Sequence, residues 1–492
     1  MAGVRPALGP AYEAALDGAR AAVLTRLWRA LAFEPLPWVL HREHGPDSLT
    51  LRLTGGRRLE GPPADPYATA AYVSEVRLDG RVHRQAARLV TALDVPHGAA
   101  FAAELDDSTA SLALSRAGQP AGPRADPTST WEWEQRVVDG HPYHPNCRSR
   151  PGFSVAEQLA YAPEHGPLVE LGLLPVRAEE CLVTGEWPQE LRDGGRILVP
   201  VHPWQAAHVL KGEGAAPAGG AGGIAAHPLM ALRTLAPADG GAHVKTALST
   251  RLTSSVRDIS GYSIETAAVV SAFAHALTER LDGRLHITRT LGAATAHSPD
   301  LAAVLREPPE AYAGPGERVV PVAALAGTPL ARSAAWRAGF ARLALSVCLR
   351  VLDLGVALEG HGQNLLVVLS PTGDPLRLVY RDLADIRISP ARLARHGLPV
   401  PPLSGRLVTD DEGVLRRKLF GSLVAGALAS TAGSGAAFGE DLAAALDGVA
   451  PTADTGALRA RPLPVKALTL MRLSPGVAGD QWARLPQPPG GG

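Results

Sequence analysis

Apolar residues recur at helical spacing in a few long stretches and alternate in many short ones, which predicts an α+β chain. Tyr12 to Phe33, with Ala15, Ala22, Leu27 and Leu31 among its apolar positions, predicts an amphipathic helix. Leu49 to Leu53 and Tyr72 to Leu78 predict strands, and Ala86 to Leu93 a short helix. Val155 to Ala162 starts another helix, and Ile197 to His202 is a short apolar strand. Ile264 to Leu281 and Arg332 to Leu354 predict long helices, the second apolar at Phe340, Leu343, Val347 and Val351. His286 to Leu291 predicts a strand between them. Gly413 to Leu446 reads as helical with a break at Gly433 to Gly435, and Pro464 to Leu473 as a strand or helix. Lys211 to Gly223, rich in Gly and Ala, predicts a flexible surface loop, and Pro486 to Gly492 a disordered tail.

Three stretches carry more than a folding pattern. Written as one strand, His243 to Arg257 places His243, Lys245, Ser249, Arg251, Thr253 and Arg257 on one face, with a largely apolar face behind. Cations and hydroxyls on a packed backing suit a polyanion such as a triphosphate or carboxylate; an ordinary solvated sheet face reads the same way. Pro228 to Leu235 and the turn at Pro237 to Gly241 make this stretch the second arm of a hairpin, with Arg233 and Thr234 on the first.

Gly140 to Phe153 holds two His-Pro pairs and a Pro-Gly, so it is a stiff loop, bearing His141, His144, Arg148 and Arg150. It fits either an anion site or a plain connector. In the third stretch, Asn364 begins a strand that turns at Pro371 to Asp374 and returns through Leu376 to Tyr380, bringing Asp382 back beside Asn364. With Glu359 nearby, these oxygens suit Mg²⁺ and a nucleotide phosphate, a pairing of Asn and Asp that protein kinases also use.

Composition narrows the functions. The 492 residues exceed one compact core, so several lobes are expected. Zero net charge, from 48 basic and 48 acidic residues, argues against a nucleic-acid binder held by bulk charge. No charge-free apolar run reaches the roughly 18 residues of a membrane span, and the N-terminus lacks a leader pattern. Three scattered cysteines suggest a reducing cytoplasm. Lysine occurs only at positions 211, 245, 418 and 466, and asparagine only at 146 and 364. Where arginine has replaced lysine almost everywhere, a retained lysine calls for a chemical reason.

In this order, the segments resemble the IucA/IucC family, the siderophore synthetases that work independently of non-ribosomal peptide synthetases. Gly140 to Gly152 looks like the family's G-H-P-x-H-P-x-x-K-x-R-x-G loop, with Arg148 at the lysine. Tyr161 to Glu164 and Val201 to Gln205 also look like family segments. Ala231 to Arg257 resembles S-x-R-T followed by K-x-x-x-S-x-R-x-T-S-x-x-R, with Ala231 at the first serine. Glu359 to Asn364, Arg381-Asp382 and Lys466 to Leu473 complete the series.

The resemblance implies palm, fingers and thumb lobes with mainly antiparallel sheets around a deep cleft, and a homodimer. The corresponding divisions are 1–155 (thumb-like), 156–335 (fingers-like) and 336–492 (palm-like). It also implies ATP-dependent adenylation of a carboxylic acid such as citrate, then displacement of AMP by an amine or hydroxyl. Lys245, Arg257 and Arg233 would screen the reacting anions, and Thr234 and Thr253 would donate to phosphates. Glu359, Asn364 and Asp382 would hold Mg²⁺, with His361 beside the reacting phosphate or acid. His141, His144, Arg148 and Arg150, together with Arg257 and His361, would bind the carboxylate substrate. A kinase-like phosphotransferase shares the Asn/Asp hairpin but should open with a G-x-G-x-x-G loop, which does not stand near the N-terminus. A non-catalytic homologue that binds the same ligands would be consistent with Ala231.

Overall fold

The computed structural model describes residues 3–122, 124–211, 222–252 and 255–490. Helix α1 (Gly9–Phe33) stops where Glu34 turns extended ahead of Pro35, the residue that forbids a further turn. The helix is less one-sided than its pattern suggests. From Ala22 to Ala32 every residue is buried, Arg26 and Arg29 included. On it lie the strands β1 (Val39–His44), β2 (Leu49–Leu53), β3 (Arg58–Gly61), β4 (Val76–Leu78) and β5 (Arg81–His83), joined in that order into an antiparallel sheet. The expected strand from Tyr72 shrinks to its last three residues. Helices α2 (Ala86–Leu93) and α3 (Gly98–Ala117) close this unit, and Trp28, Leu49, Leu51, Leu59 and Phe101 fill its core.

The middle of the chain builds a nine-stranded sheet. Its members are β6 (Val169–Arg177), β7 (Leu182–Gly185), β8 (Arg192–Asp193), β9 (Arg196–Val201), β10 (Ile224–Pro228), β11 (Thr234–Pro237), β12 (His243–Thr246) and, later in sequence, β16 (Thr290–Ser298) and β17 (Leu301–Arg306). The order is β7-β16-β17-β12-β11-β10-β6-β9-β8, and every pairing is antiparallel. The expected hairpin forms, with Thr234 opposite Lys245, and Arg233 lies just before its first strand.

His243 to Arg257 is not one strand. After β12 the chain leaves the sheet at Ala247 and folds back on itself as β13 (Leu248–Leu252) and β14 (Ser255–Arg257). All four residues of β12 are buried, so the single cationic face expected there does not exist as such. The helix expected from Ile264 to Leu281 is broken into Gly261–Glu265 and Ala267–Thr278. It is followed by β15 (Leu285–Ile287), β16 (Thr290–Ser298) and β17 (Leu301–Arg306).

The last third is built around the helix Ala334–Leu354, buried at Phe340, Leu343, Val347 and Val351 as expected. Gly355 ends it at φ 115°, where a Cβ would lie 3.0 Å from the amide nitrogen of Leu393. The strands of this part are β18 (Arg318–Pro321), β19 (Val356–Ala357), β20 (Leu365–Leu369), β21 (Pro375–Tyr380) and β22 (Arg387–Ile388), of which β20 and β21 form the expected hairpin, with Leu365 opposite Tyr380. All of β20 is buried, which accounts for its unbroken apolar run. The order β15-β21-β20-β18 includes one parallel pair, β15 with β21.

The chain ends interlock. Leu463–Lys466 is a strand and Leu468–Leu473 a helix, so both alternatives for this segment hold in part. Leu473 enters the core beneath α1. The described tail is docked rather than loose. Pro486 O accepts from the Tyr67 hydroxyl, and Gln487 Nε2 donates to Leu458 O at 2.9 Å. Among the described residues, no helix is long and apolar enough to cross a membrane.

Candidate active site

The β20–β21 hairpin positions the first group. Tyr380 is fully buried at its end, and its hydroxyl accepts from Glu359 N (3.2 Å) and donates to Asp382 O (3.2 Å). One phenol thereby holds both acidic residues' backbones. Asn364 precedes β20, its amide donating to His361 O and its carbonyl accepting from Arg381 N at 3.0 Å. Gly362 lets this loop approach Ala323, whose amide nitrogen would be 2.9 Å from a Cβ there. Arg381 is buried. Its guanidinium donates to Gln363 O and pairs with Glu134 at 2.7 Å, and Glu134 also accepts from Met230 N. Glu134 thus ties the turn carrying Ala231 to the hairpin. Leu232 in that turn has φ 61°, a left-handed conformation rare for leucine.

The second group comes from the large sheet. Lys245 Nζ lies 2.6 Å from Asp382 Oδ2, so the two segments, 137 residues apart, meet directly. Arg306, at the end of β17 and opposite His243, reaches Asp382 Oδ1 at 3.5 Å. Arg233 donates to the carbonyls of Arg257 (2.5 Å) and Asp258 (2.7 Å), fixing the end of β14. Thr234 is buried beside Lys245. Thr253 lies outside the described residues.

Charges in this group act on one another. Burial pushes the Lys245 ammonium down to about 7, with Asp382 opposing and Arg233 and Arg306 reinforcing that fall. Burial also lowers Arg233 to about 10, and Arg257 and Arg306 add to it. Burial alone would raise Asp382, but Lys245 and Arg306 hold it well below the usual carboxylate range. The physical content is an excess of cations around one fixed anion.

Glu359 is held from another side. Its Oε1 accepts from Lys418 Nζ at 3.1 Å and Lys466 Nζ at 3.3 Å, and Lys418 also reaches Asp385 Oδ2 at 2.6 Å. Three of the chain's four lysines therefore meet the carboxylates of the Glu359 to Asp385 segment. Arg306, Lys418 and Asp385 escaped the sequence reading. The rarity of lysine was the available signal for Lys418, and Arg306 shows only as the charged end of an apolar run.

The Gly140 to Phe153 loop is irregular, as its prolines require, and buried from Tyr143 to Arg150, with His141, Pro151 and Gly152 exposed. Arg26 of α1 donates to Asp139 O, Pro142 O and Cys147 Sγ. From α3, Asp107 accepts from Ser149 and Arg150 N, while Glu104 accepts from Asn146 and Arg472. Arg148 and Arg150 are buried against Glu164, at 3.4 and 2.8 Å, and Arg148 also donates to Val137 O and Val138 O. They brace the loop rather than line an open face. Burial would raise Glu164, but Arg148 and Arg150 hold it far below the usual range.

His141 and His144 take the other side of the loop, their rings 6.1 Å apart. His141 is the exposed member of the pair, and desolvation by the protein around it lowers it, with His361 next in effect. His144 is 1% exposed, and among the described residues neither ring nitrogen has a hydrogen-bond partner. Burial lowers it strongly, and His141 and Arg257 lower it further. His361 is lowered by burial against the pull of Glu359. The loop histidines thus share an electrostatic environment with Arg257 and His361.

Val201 to Gln205 supports this arrangement from behind. His202 Nδ1 accepts from Trp204 N, and Trp204 Nε1 donates to Gly152 O. Gln205 exchanges two hydrogen bonds with Ser249, through Nε2 at 2.9 Å and Oε1 at 2.8 Å. Thr250 donates to Pro151 O at 2.7 Å. The turn of the chain out of the sheet is therefore clamped to the histidine loop.

The chain resembles known proteins in sequence and in fold. Residues 129–327 match the profile described as "IucA / IucC family", and residues 334–476 match "Ferric iron reductase FhuF-like transporter". A Staphylococcus aureus protein, 2-[(L-alanin-3-ylcarbamoyl)methyl]-3-(2-aminoethylcarbamoyl)-2-hydroxypropanoate synthase, is 24% identical over 328 residues, covering 54% of this chain and 53% of that protein. The chain spans about half the length of the curated relatives it matches. The petrobactin biosynthesis protein AsbB from Bacillus anthracis superposes with a TM-score of 0.78 at 17% identity, covering 96% of each chain. ATP-bound aerobactin synthetase IucA from Klebsiella pneumoniae gives 0.75 at 20% identity, covering 96% of this chain and 99% of that one. Residues 129–327 thus match the IucA / IucC family model, and the chain shares the fold of these solved structures.

Proposed function

We propose that the protein is an ATP-dependent ligase that adenylates a carboxylic acid, citrate or a citrate-derived acid, and joins it to an amine or hydroxyl nucleophile. The observation that carries this reading is the set of Arg233, Lys245 and Arg306 acting on the single carboxylate of Asp382, with Arg257 bonded beside them. Two anions, a triphosphate and a carboxylate, must come together for adenylation, and fixed cations lower that barrier. The synthase relative and the ATP-bound neighbour support the same reading.

Lys245, Arg233 and Thr234 bind the phosphates, with Thr253 as a further donor. Arg257 and His361 stand between phosphate and acid, and His141 and His144 bind the acid from the loop. Arg148 and Arg150 act at one remove, holding that loop through Glu164. Glu359, Asn364 and Asp382 fit Mg²⁺: the donors are all oxygens, and both carboxylates already draw cationic nitrogens. A bound Mg²⁺ would supply charge neutralisation on the phosphates. Lys245 leaves Asp382 for the phosphate when ligands enter, and Lys418 and Lys466 loosen from Glu359. The protein acts in the cytoplasm as a homodimer in this reading.

The test is product analysis with ATP, Mg²⁺ and a panel of acids including citrate, with hydroxylamine as the trapping nucleophile. Equimolar AMP, pyrophosphate and hydroxamate are expected. ADP and phosphate would identify a phosphotransferase instead.

A further inference from the structure

Behind the histidine loop, on the side of α1, lies a separate cavity of about 110 Å³. That is room for a small polar group with its stem, beyond the space one water needs. Its wall includes Arg26, Arg29, Arg116, Asp65, Asp139 and Tyr72, so three guanidinium groups face two carboxylates.

All but one of these groups have their hydrogen bonding accounted for. Arg116 pairs with Asp139 through two hydrogen bonds, and Asp65 accepts from Tyr67 N and Gly435 N, both at 2.8 Å. Arg26 is engaged by two carbonyls and the Cys147 sulfur. Arg29 differs. It is 7% exposed, its Nε donates to Pro66 O at 2.6 Å, and its guanidinium carbon sits 4.3 Å from the centre of the Tyr143 ring. Among the described residues no carboxylate pairs with it. Glu34, whose charge it feels, accepts the amides of Thr469 and Leu470 instead.

A buried cation without a counter-ion is costly, and a flat guanidinium at a cavity wall is shaped for a two-oxygen anion. We infer that this cavity is a second anion site, in which Arg29 takes the carboxylate of a small molecule. A surplus of one positive charge matches one carboxylate better than a doubly charged phosphate. The wall includes Pro142, next to His141, so a molecule held here lies against the loop that carries the acid-binding histidines. The carboxylate can belong to the acid or to an amine-bearing nucleophile.

The inference needs only binding, so it can fail without touching the adenylation reading. Melting temperatures are measured for the full chain with succinate, a plain dicarboxylate, and with β-alanine, an amine-bearing carboxylate. Wild type, Arg29→Met, Arg29→Lys and Arg257→Ala are compared. At least one probe should stabilise wild type and Arg257→Ala alike, with at least a tenfold loss of apparent affinity in Arg29→Met and a smaller loss in Arg29→Lys. Unliganded Arg29→Met should melt no lower than wild type. A response to succinate alone assigns the site to the acid, and one to β-alanine assigns it to the nucleophile. Equal responses in wild type and Arg29→Met, no response to either probe, or a cleft-only response lost in Arg257→Ala would overturn it. So would an Arg29→Met protein destabilised without ligand and restored by Arg29→Lys, which marks a structural cation.

Discussion

Asp382→Asn separates the two roles given to that carboxylate. In the free chain it holds Lys245 at 2.6 Å and Arg306 at 3.5 Å, with its side chain 26% exposed. At an effective dielectric near 20, the two contacts carry roughly 6 and 5 kcal/mol of Coulomb energy, much of it offset by desolvation. Removing one partner of a buried pair typically costs roughly 3–5 kcal/mol, because the other charge stays buried. Unfolding in denaturant should show a loss of that order. Binding should move the other way. Without metal, Asp382 competes with phosphate for Lys245, so its removal should tighten tripolyphosphate or ATP binding in EDTA by roughly tenfold, about 1.4 kcal/mol. The additional affinity that Mg²⁺ gives ATP should disappear. Calorimetric titration with and without Mg²⁺ reads both effects. Equal weakening in both conditions would refute the exchange of Lys245 from carboxylate to phosphate.

Three further outcomes follow from named contacts. Lys245→Ala and Arg257→Ala should each lower the acid-dependent rate by roughly a hundredfold or more, the usual cost of a charge-stabilising donor, as read by AMP release. Glu164→Gln leaves Arg148 and Arg150 buried without their anion and should cost roughly 3–5 kcal/mol in denaturant unfolding. Burial raises Glu34 to about 7, against the amides of Leu470 and Thr469, from an ordinary value of 4.5. The folded state then keeps a proton that the unfolded chain has released. Its contribution is full below pH 4.5 and is lost as pH rises through 7, roughly 3 kcal/mol in all. The stability difference between wild type and Glu34→Gln should shift by that amount over this window; a pH-independent difference would contradict it.

What the sequence revealed depended on where the determining contacts lay. The β20–β21 hairpin was legible because its turn residues and apolar run are local. So was the return of the chain that sets Arg381 N against Asn364 O, one residue before Asp382. The fate of His243 to Arg257 was not. Alternation continues past Ala247, while the break depends on partners far away, Ala302 O for the Ala247 amide and Gln205 for Ser249. Helix α3 was missed because its Glu104, Asp107 and Ser108 blur an apolar stripe, yet those residues hold the histidine loop. Arg148 and Arg150 looked like free anion binders because nothing in their spacing reveals Glu164 as their partner. Lysine scarcity pointed toward the site, but only folding shows Lys418 and Lys466 meeting on Glu359.

Oxygen tracing tests the central claim most directly. The acid, labelled with ¹⁸O in its carboxylates, is turned over with ATP, Mg²⁺ and hydroxylamine, and the phosphorus products are analysed by mass. Attack of the acid on the α-phosphate predicts one ¹⁸O in AMP and none in pyrophosphate. Label in inorganic phosphate with ADP as co-product, or AMP without label, would contradict it.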